Sequence, residues 1–178
     1  PGEDAQGDAA GVSSFTFRPA RPFHPARLVA LANGNLSLPP SVLRVTGTCW
    51  LASRCARRGI WSTKRGGLTE ITMGAPWWVG VPRTKWPDTL PSQLIEKGLL
   101  SPEGRWHDEQ YGDCHSELSV VAGQGFRSDV LEVYLTELLV TEEEFAMGPT
   151  GWVSFQDPLP AWNFQLDVDT LYCLALIG

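Results

Sequence analysis

The sequence predicts an α+β fold: an antiparallel sheet of four to five strands with two main helices on one face, in a split β-α-β-like order. Residues 14–18 alternate polar and aromatic side chains, which is the pattern of a half-buried strand. Three segments rich in β-branched and aromatic residues lie between residues 42 and 73. Apolar stripes with helical spacing follow Pro25 and Ser128. Helices on one face of an antiparallel sheet would bury both sets of apolar side chains.

The first helix is predicted from its start signal and its stripe. Pro25 suits the first turn of a helix, where its missing N–H is not needed. Leu28, Leu31 and Ala32 form an apolar stripe that ends before Gly34. We therefore expect a short helix directly after the first strand.

The middle of the chain predicts an antiparallel meander. Residues 42–54 and 59–64 read as the two strands of a hairpin. A glycine-containing turn at residues 64–67 then leads into a third strand at residues 68–73.

A long Trp/Pro-rich inserted loop is predicted for residues 76–111. Tryptophan, proline and glycine interrupt every periodic pattern there. The exception is a short helix at residues 92–97, which Gly98 would end.

The last predicted elements are a strand at residues 115–122 and a helix with Ser128 as its N-cap. Residues 141–144 fit a capping box for one further helical turn before Gly148. The apolar side chains that the main helix should bury are Val130, Leu131, Tyr134, Leu135, Leu138 and Leu139.

Domain organisation follows from length and composition. The chain has 178 residues, enough for one domain with a real core. Residues 1–13 are read as a disordered leader or linker remnant, residues 14–162 as the folded domain and residues 163–178 as a C-terminal extension. That extension could add a strand at the sheet edge, pack as a helix on the open face, or fray. Because the first residue is Pro1, we expect a fragment or a processed product.

Charge and composition exclude several function classes. The net charge is −6, and phosphate binding needs a positive surface, so we expect no nucleic-acid partner. No run approaches the roughly 18 apolar residues of a membrane span, so we expect a soluble protein. Four cysteines without a CxxC pair predict reduced, mostly buried thiols and an intracellular location, the cytoplasm in the first place, with an organelle left open. No Ser, His and Asp set and no carboxylate pair indicates catalysis.

Three stretches carry a family resemblance: residues 18–28 (RPARPFHPARL), 42–54 (VLRVTGTCWLASR) and 112–125 (GDCHSELSVVAGQG). They resemble the C-terminal domain of the CobW family of metal-chaperone GTPases, over residues 14–162. Trp77-Trp78 and residues 157–162 are also similar to family features. The resemblance implies an accessory domain with an antiparallel sheet. In the family it is joined to an N-terminal GTPase that loads zinc, cobalt or a related metal into client proteins.

The chain departs from the family pattern in three ways. It contains no G-x-x-x-x-G-K-[ST] phosphate loop and no Cys-x-Cys-Cys metal motif. The string nearest to the family's guanine-reading motif is Thr84-Lys85-Trp86-Pro87, which ends in proline. Cys114 stands after Gly112-Asp113, where family members usually carry a basic residue.

The resemblance therefore implies a non-catalytic accessory or interaction domain of a zinc or cobalt chaperone system. Its partners would be a CobW-type GTPase domain, in the same chain or a separate one, and a metalloprotein client. Any GTP hydrolysis would reside in a missing N-terminal segment or in the partner. The alternative is a standalone zinc-binding protein that uses Cys114 and His115 with neighbours such as His24 or Cys49, because thiolate and imidazole are good zinc ligands.

Each candidate site residue also has a structural interpretation. The metal candidates are His24, Cys114 and His115. His24 could instead cap the first helix or pack under Phe23, which its isolation from other ligands favours, and Cys114 could be an incidental substitution. Trp50 and Trp61 lie within predicted strands and favour the core. The basic residues at positions 54, 57, 58, 64 and 65 favour a solvated edge. The interaction candidates are Arg21, Phe23, Trp77, Trp78, Trp86 and Asp113.

Overall fold

The computed structural model describes residues 7–8, 11–32, 38–64 and 69–162, which fold around one antiparallel sheet. Its strands are β1 (Gly7–Asp8), β2 (Val12–Phe17), β3 (Val42–Cys49), β4 (Arg57–Lys64), β5 (Glu70–Pro76) and β6 (Glu117–Ala122). They lie side by side in the order β1-β2-β6-β3-β4-β5. The two-residue β1 adds to five longer strands, so the predicted antiparallel sheet is confirmed.

The helices are α1 (Pro25–Ala32), α2 (Leu90–Glu96), α3 (Ser128–Glu137), α4 (Glu142–Ala146) and α5 (Gly148–Trp152). Helix α1 connects β2 to β3, and β6 lies between those two strands and pairs antiparallel with both. This is the predicted split β-α-β arrangement.

The register gives the sheet one buried and one open face. One row across the strands aligns Phe17, Leu118, Gly47, Trp61 and Ile71 on the buried face. The neighbouring row aligns Thr16, Ser119, Thr46, Ser62 and Glu70, and these side chains are exposed or partly exposed. The alternation is that of a sheet with one face on the core and one in water.

Gly47 lies at the centre of the buried row because nothing larger fits there. Its φ is 154°, and a Cβ atom would stand 2.0 Å from the carbonyl oxygen of Glu117 on β6. The close approach of β3 and β6 therefore requires glycine.

Helices α1 and α3 cover the same face of the sheet. Leu28 and Leu31 of α1 join Leu131 and Leu135 of α3 in one buried cluster with Trp61 and the other inward-facing strand residues. Both leucine pairs follow the helical spacing that predicted them. The two main helices of the prediction are thus confirmed on one face.

Three details of the α3 prediction differ from the structure. Ser128 is the first helical residue and not the N-cap, which is Arg127 without a side-chain cap. Val130 is 50% exposed, because it points away from the leucine stripe, and Tyr134 is only partly buried. The capping box is confirmed: the Thr141 hydroxyl accepts from the Glu144 N–H, and the Glu144 carboxylate accepts from the Thr141 N–H.

The segment predicted as a loop contains several ordered elements. Two short 3-10 turns, Trp78–Gly80 and Arg83–Lys85, precede α2. Gly98, with φ of 67°, follows the end of that helix. The segment has its own small core of Leu90, Leu94 and Leu100 under partly buried tryptophans.

An aromatic cluster forms a second core beside the sheet. The ring of Trp50 lies 5.0 Å from that of Tyr111 and 5.7 Å from that of Trp152, between centroids. Trp152 belongs to α5, which the sequence did not predict. Trp50 and Trp61 are both buried, as expected.

Some expectations fall on parts of the chain that lie outside the described residues. These are residues 1–6 and 9–10 of the predicted leader, most of the turn at residues 64–67, and the extension at residues 163–178. The described residues of the predicted leader include Gly7, Asp8, Val12 and Ser13, which pair in the sheet. No helix among the described residues is both long and apolar enough to cross a membrane.

Candidate functional site

The carboxylate of Asp113 organises the candidate site. Its Oδ1 accepts from the Val79 N–H at 2.9 Å, and its Oδ2 accepts from the Trp78 N–H at 3.0 Å. Gly112 places Asp113 there: its φ is 59°, and a Cβ atom would lie 2.4 Å from the Cβ of Val79. Glycine before the aspartate therefore lets the chain turn close under residues 78 and 79.

Arg58 supplies the positive charge opposite Asp113. Its Nη2 donates to Asp113 Oδ2 at 2.9 Å, and Asp113 is 2% exposed. The guanidinium also lies 4.9 Å from the ring centre of Trp77, in cation–π contact. The β4–β5 pairing shifts register between Arg57 and Gly59, so Arg58 lies at an irregular position within β4.

Two cavities lie beside this ion pair, and the buried Trp77 lines both. The first, the aromatic cavity, has about 110 Å³ and is lined by Trp50, Tyr111, Trp152, Cys55 and Cys114 among others. The second, the α2 cavity, has about 380 Å³ and lies between the sheet and α2. Arg58, Asp113 and His115 all line this second cavity.

Cys114 and His115, although adjacent, line different cavities. Cys114 lies in the aromatic cavity, where burial and the nearby Asp113 charge raise the pKa of its thiol well above the usual value. His115 Nδ1 lies 2.8 Å from the Asp113 carbonyl oxygen. A carbonyl only accepts, so Nδ1 carries the proton and Nε2 is the nitrogen left for the α2 cavity.

His24 lies in a third place, at the start of α1. Its ring stacks on Phe155 with centroids 4.8 Å apart, and its Nε2 is 3.9 Å from the Glu144 carboxylate. Burial, and next the charge of Arg27, lower the pKa of His24 below its ordinary value, against the effect of Glu144. The surroundings are those of a packed, neutral histidine.

The three predicted metal ligands are therefore not brought together. No group of three or more His, Cys, Asp or Glu side chains able to hold a metal occurs within residues 7–8, 11–32, 38–64 and 69–162. A zinc site needs about four donors converging at bonding distance. The described residues do not fit a resident zinc ion.

The predicted interaction residues divide into buried and accessible ones. Phe23 is fully buried, and its backbone bonds to Trp50 and Ala52, so it ties α1 to the end of β3. Trp77 and Asp113 are each 2% exposed. Arg21 pairs with Glu142 at 3.1 Å and stays partly accessible. Trp78 and Trp86 are half-buried.

One basic residue that the sequence placed at a solvated edge is a structural clamp. Arg54 donates to both Asp157 oxygens and to the carbonyl oxygens of Leu159 and Pro160, and its guanidinium lies 4.6 Å from the ring centre of Trp162. It fixes the end of the described chain against the domain. No local signal reveals this contact, because the partners are more than 100 residues apart.

The structure is an α+β domain with helices on one face of an antiparallel sheet and a buried Asp113 paired with Arg58. The cobalamin synthesis protein cobW C-terminal domain model matches residues 12–139. The chain belongs to this family, as the three sequence blocks indicated.

Similar proteins carry names from metal metabolism. The chain is 26% identical to the zinc-regulated GTPase metalloprotein activator 1 of Dictyostelium discoideum, over 84% of this chain and 30% of the relative. It is 27% identical to a zinc chaperone of Mycobacterium tuberculosis, over 85% of this chain and 35% of the relative. The chain spans about a third of the length of these relatives. Among solved structures, the Zn(II)-bound YjiA GTPase from E. coli matches with 14% identity and a TM-score of 0.44, over 73% of this chain and 30% of that one.

Proposed function

We propose that this chain is the non-catalytic accessory domain of a metal chaperone system. It contacts a GTPase domain, in the same chain or on a partner, or a metalloprotein client, and zinc or cobalt is the cargo. Family membership and the names of the relatives support this role. GTP hydrolysis belongs to the GTPase domain, since this sequence has no phosphate loop. The system is expected to work inside the cell.

The observation that carries the proposal is a preformed aromatic surface, the tryptophan face, made of Trp78, Trp86 and Trp106. The ring centroids of Trp78 and Trp86 are 6.4 Å apart, those of Trp86 and Trp106 are 5.7 Å apart, and both pairs meet edge to face. All three residues are only partly buried and keep some exposed surface. Tryptophan is enriched at the residues that dominate binding energy in protein interfaces.

The tryptophan face is held in place before any partner arrives. The Trp86 indole N–H donates to the Val81 carbonyl oxygen at 2.8 Å, and the Arg83 guanidinium lies 5.0 Å from its ring centre. Below, Leu90 and Leu94 support the rings. A fixed ring loses little conformational entropy on binding, which favours affinity.

The test is a calorimetric titration of this chain into the GTPase domain of the Dictyostelium relative. Trp86→Ala should weaken binding by about 2 kcal/mol or more, the loss typical of an interface hot spot. The matched control is Val133→Ala, since Val133 is 63% exposed on α3, away from the tryptophan face. Circular dichroism must show that both variants fold. Equal losses in the two variants, or no binding by the wild type, would count against the proposal.

A further inference from the structure

The indole N–H groups of Trp50 and Trp77 are buried and have no hydrogen-bond partner. Both residues are 2% exposed. Both line the aromatic cavity, and Trp77 lines the α2 cavity as well. A buried donor that has given up its hydrogen bonds to water destabilises a fold unless an acceptor replaces them. Two such donors beside one cavity therefore indicate that an acceptor belongs there.

The remaining tryptophan of the cavity already has its partner. The Trp152 indole N–H donates to the Glu144 carbonyl oxygen at 2.7 Å. Tyr111 stacks on Trp152 with ring centroids 5.7 Å apart, and Trp50 contacts both rings. These contacts hold the aromatic wall in place before a ligand binds, which limits the conformational entropy lost on binding.

The cavity favours an uncharged ligand. Among the described residues, none of those that line it is charged. Burial, and next the charge of Asp113, raise the pKa of the Cys114 thiol, against a smaller effect of Arg58. Burial, and next the charge of Asp108, raise the pKa of Tyr111. An anion would therefore meet a negative field, while a cation would meet a protonated thiol and indole N–H groups in place of carboxylates.

The size of the cavity limits the ligand to about one ring. Its volume is about 110 Å³, and an apolar cavity of about 150 Å³ in another protein holds benzene. Gln110, which is exposed, and Pro149, which is partly exposed, belong to the lining, so the cavity opens to solvent on that side. A ring of about five or six atoms matches this space.

We propose that the aromatic cavity binds a small uncharged cyclic compound that carries a carbonyl group. Its ring lies against Tyr111 and Trp152, and its carbonyl oxygen accepts from the indole N–H groups of Trp50 and Trp77. A carbonyl oxygen has two lone pairs and no donor, which suits a lining that offers two donors. An apolar wall with a few polar groups that fix orientation is typical of small-molecule sites. The ligand is held by this domain alone, so the proposal does not depend on the partner contacts described above.

The probes are cyclopentanone and methylenecyclopentane, which share one shape but carry a C=O and a C=CH₂ group respectively. Binding is followed by heteronuclear NMR of the full chain, in which each tryptophan gives one indole N–H signal. Cyclopentanone should move the signals of Trp50 and Trp77 to lower field, as a new hydrogen bond does, and methylenecyclopentane should not. The Trp86 signal is the internal control, since its N–H donates to Val81 and Trp86 does not line the cavity.

Two kinds of variant complete the test. Trp50→Phe should lower the ratio of cyclopentanone affinity to methylenecyclopentane affinity about fivefold or more, because the ratio cancels the apolar contacts common to both probes. Ala56→Leu adds a side chain at the lining and should abolish binding of both probes, whereas Ala146→Leu, at an exposed residue outside the cavity, should leave both unchanged. Circular dichroism checks that each variant folds, and the titration of the wild type stands without them.

Three outcomes would overturn the proposal. Cyclopentanone at millimolar concentration moves neither the Trp50 nor the Trp77 signal, as expected if water alone satisfies these donors. Both probes move the two signals alike, as expected of a purely apolar cavity. The affinity ratio is the same in the wild type and in a folded Trp50→Phe variant.

Discussion

Asp113→Asn tests whether the buried ion pair organises the domain. The substitution keeps the shape of the side chain but replaces one accepting oxygen with an NH₂ group. The native carboxylate accepts from Arg58, Trp78 and Val79. In either orientation of the amide, an N–H group then faces another donor, and Arg58 loses its counterion.

The expected loss of stability follows from the burial of the pair. Removing one partner of a buried ion pair costs about 3–5 kcal/mol. Arg58 is 25% exposed in its side chain, so water partly compensates it and the lower end applies. We expect the free energy of unfolding to fall by about 3 kcal/mol, measured by urea denaturation with the slope held equal to that of the wild type.

Two further variants make the measurement decisive. Asp88→Asn changes an exposed aspartate and should alter stability by less than about 0.5 kcal/mol. Arg58→Met combined with Asp113→Asn should lose less than the sum of the two single changes, because the pair acts as a unit. A loss below about 1 kcal/mol for Asp113→Asn, or strict additivity in the double variant, would refute the assigned role of the carboxylate.

Three other predictions follow from the packing. The pKa of His24 is lowered in the folded state, so the unfolded chain takes up the proton first and the free energy of unfolding falls as pH drops below about 6.5. Between pH 7 and pH 5, His24→Gln should therefore lose less stability than the wild type. The same dependence of stability on pH in both proteins would contradict a buried, neutral His24. Gly47→Ala places a Cβ atom against the Glu117 carbonyl oxygen and should lower the free energy of unfolding by about 3 kcal/mol or more. In the control Gly123→Ala the new Cβ atom meets nothing closer than 3.9 Å, so the loss of stability should be small. Equal denaturation midpoints for the two variants would show that β3 and β6 do not approach so closely. Burial raises the pKa of Cys49 to about 12, so mass spectrometry after iodoacetamide treatment at pH 8 should find Cys49 unlabelled in the native protein and labelled in urea.

The sequence predicted those strands and helices whose signals come from residues close together in the chain. The alternation at residues 14–18, the stripe of α1 and the capping box at Thr141 each depend on neighbours within a few residues. The periodicity of α3 correctly predicted the buried leucines, but the prediction that Val130 is buried was wrong. Periodicity gives the direction of the buried face of a helix and not its width. Helix α5 escaped prediction because its sequence, GPTGW, contains two glycines and a proline.

The candidate site was predictable in composition but not in geometry. Gly112-Asp113 resembles the family pattern, yet nothing in the sequence pairs Asp113 with Arg58, which is 55 residues away. Cys114 and His115 are good metal ligands by their chemistry, and only the fold shows that they line different cavities. Residues distant in sequence converge through sheet register, which local patterns do not encode.

The central claim is that this domain acts by contact with a GTPase domain. The most direct measurement is the rate of GTP hydrolysis by the GTPase domain of a CobW-family protein, taken alone and with increasing amounts of this chain. We expect a rate that changes and then saturates at a stoichiometric complex, and we expect Trp86→Ala to need a roughly thirtyfold higher concentration for the same change, as a loss of about 2 kcal/mol requires. An unchanged rate together with no detectable complex would contradict it.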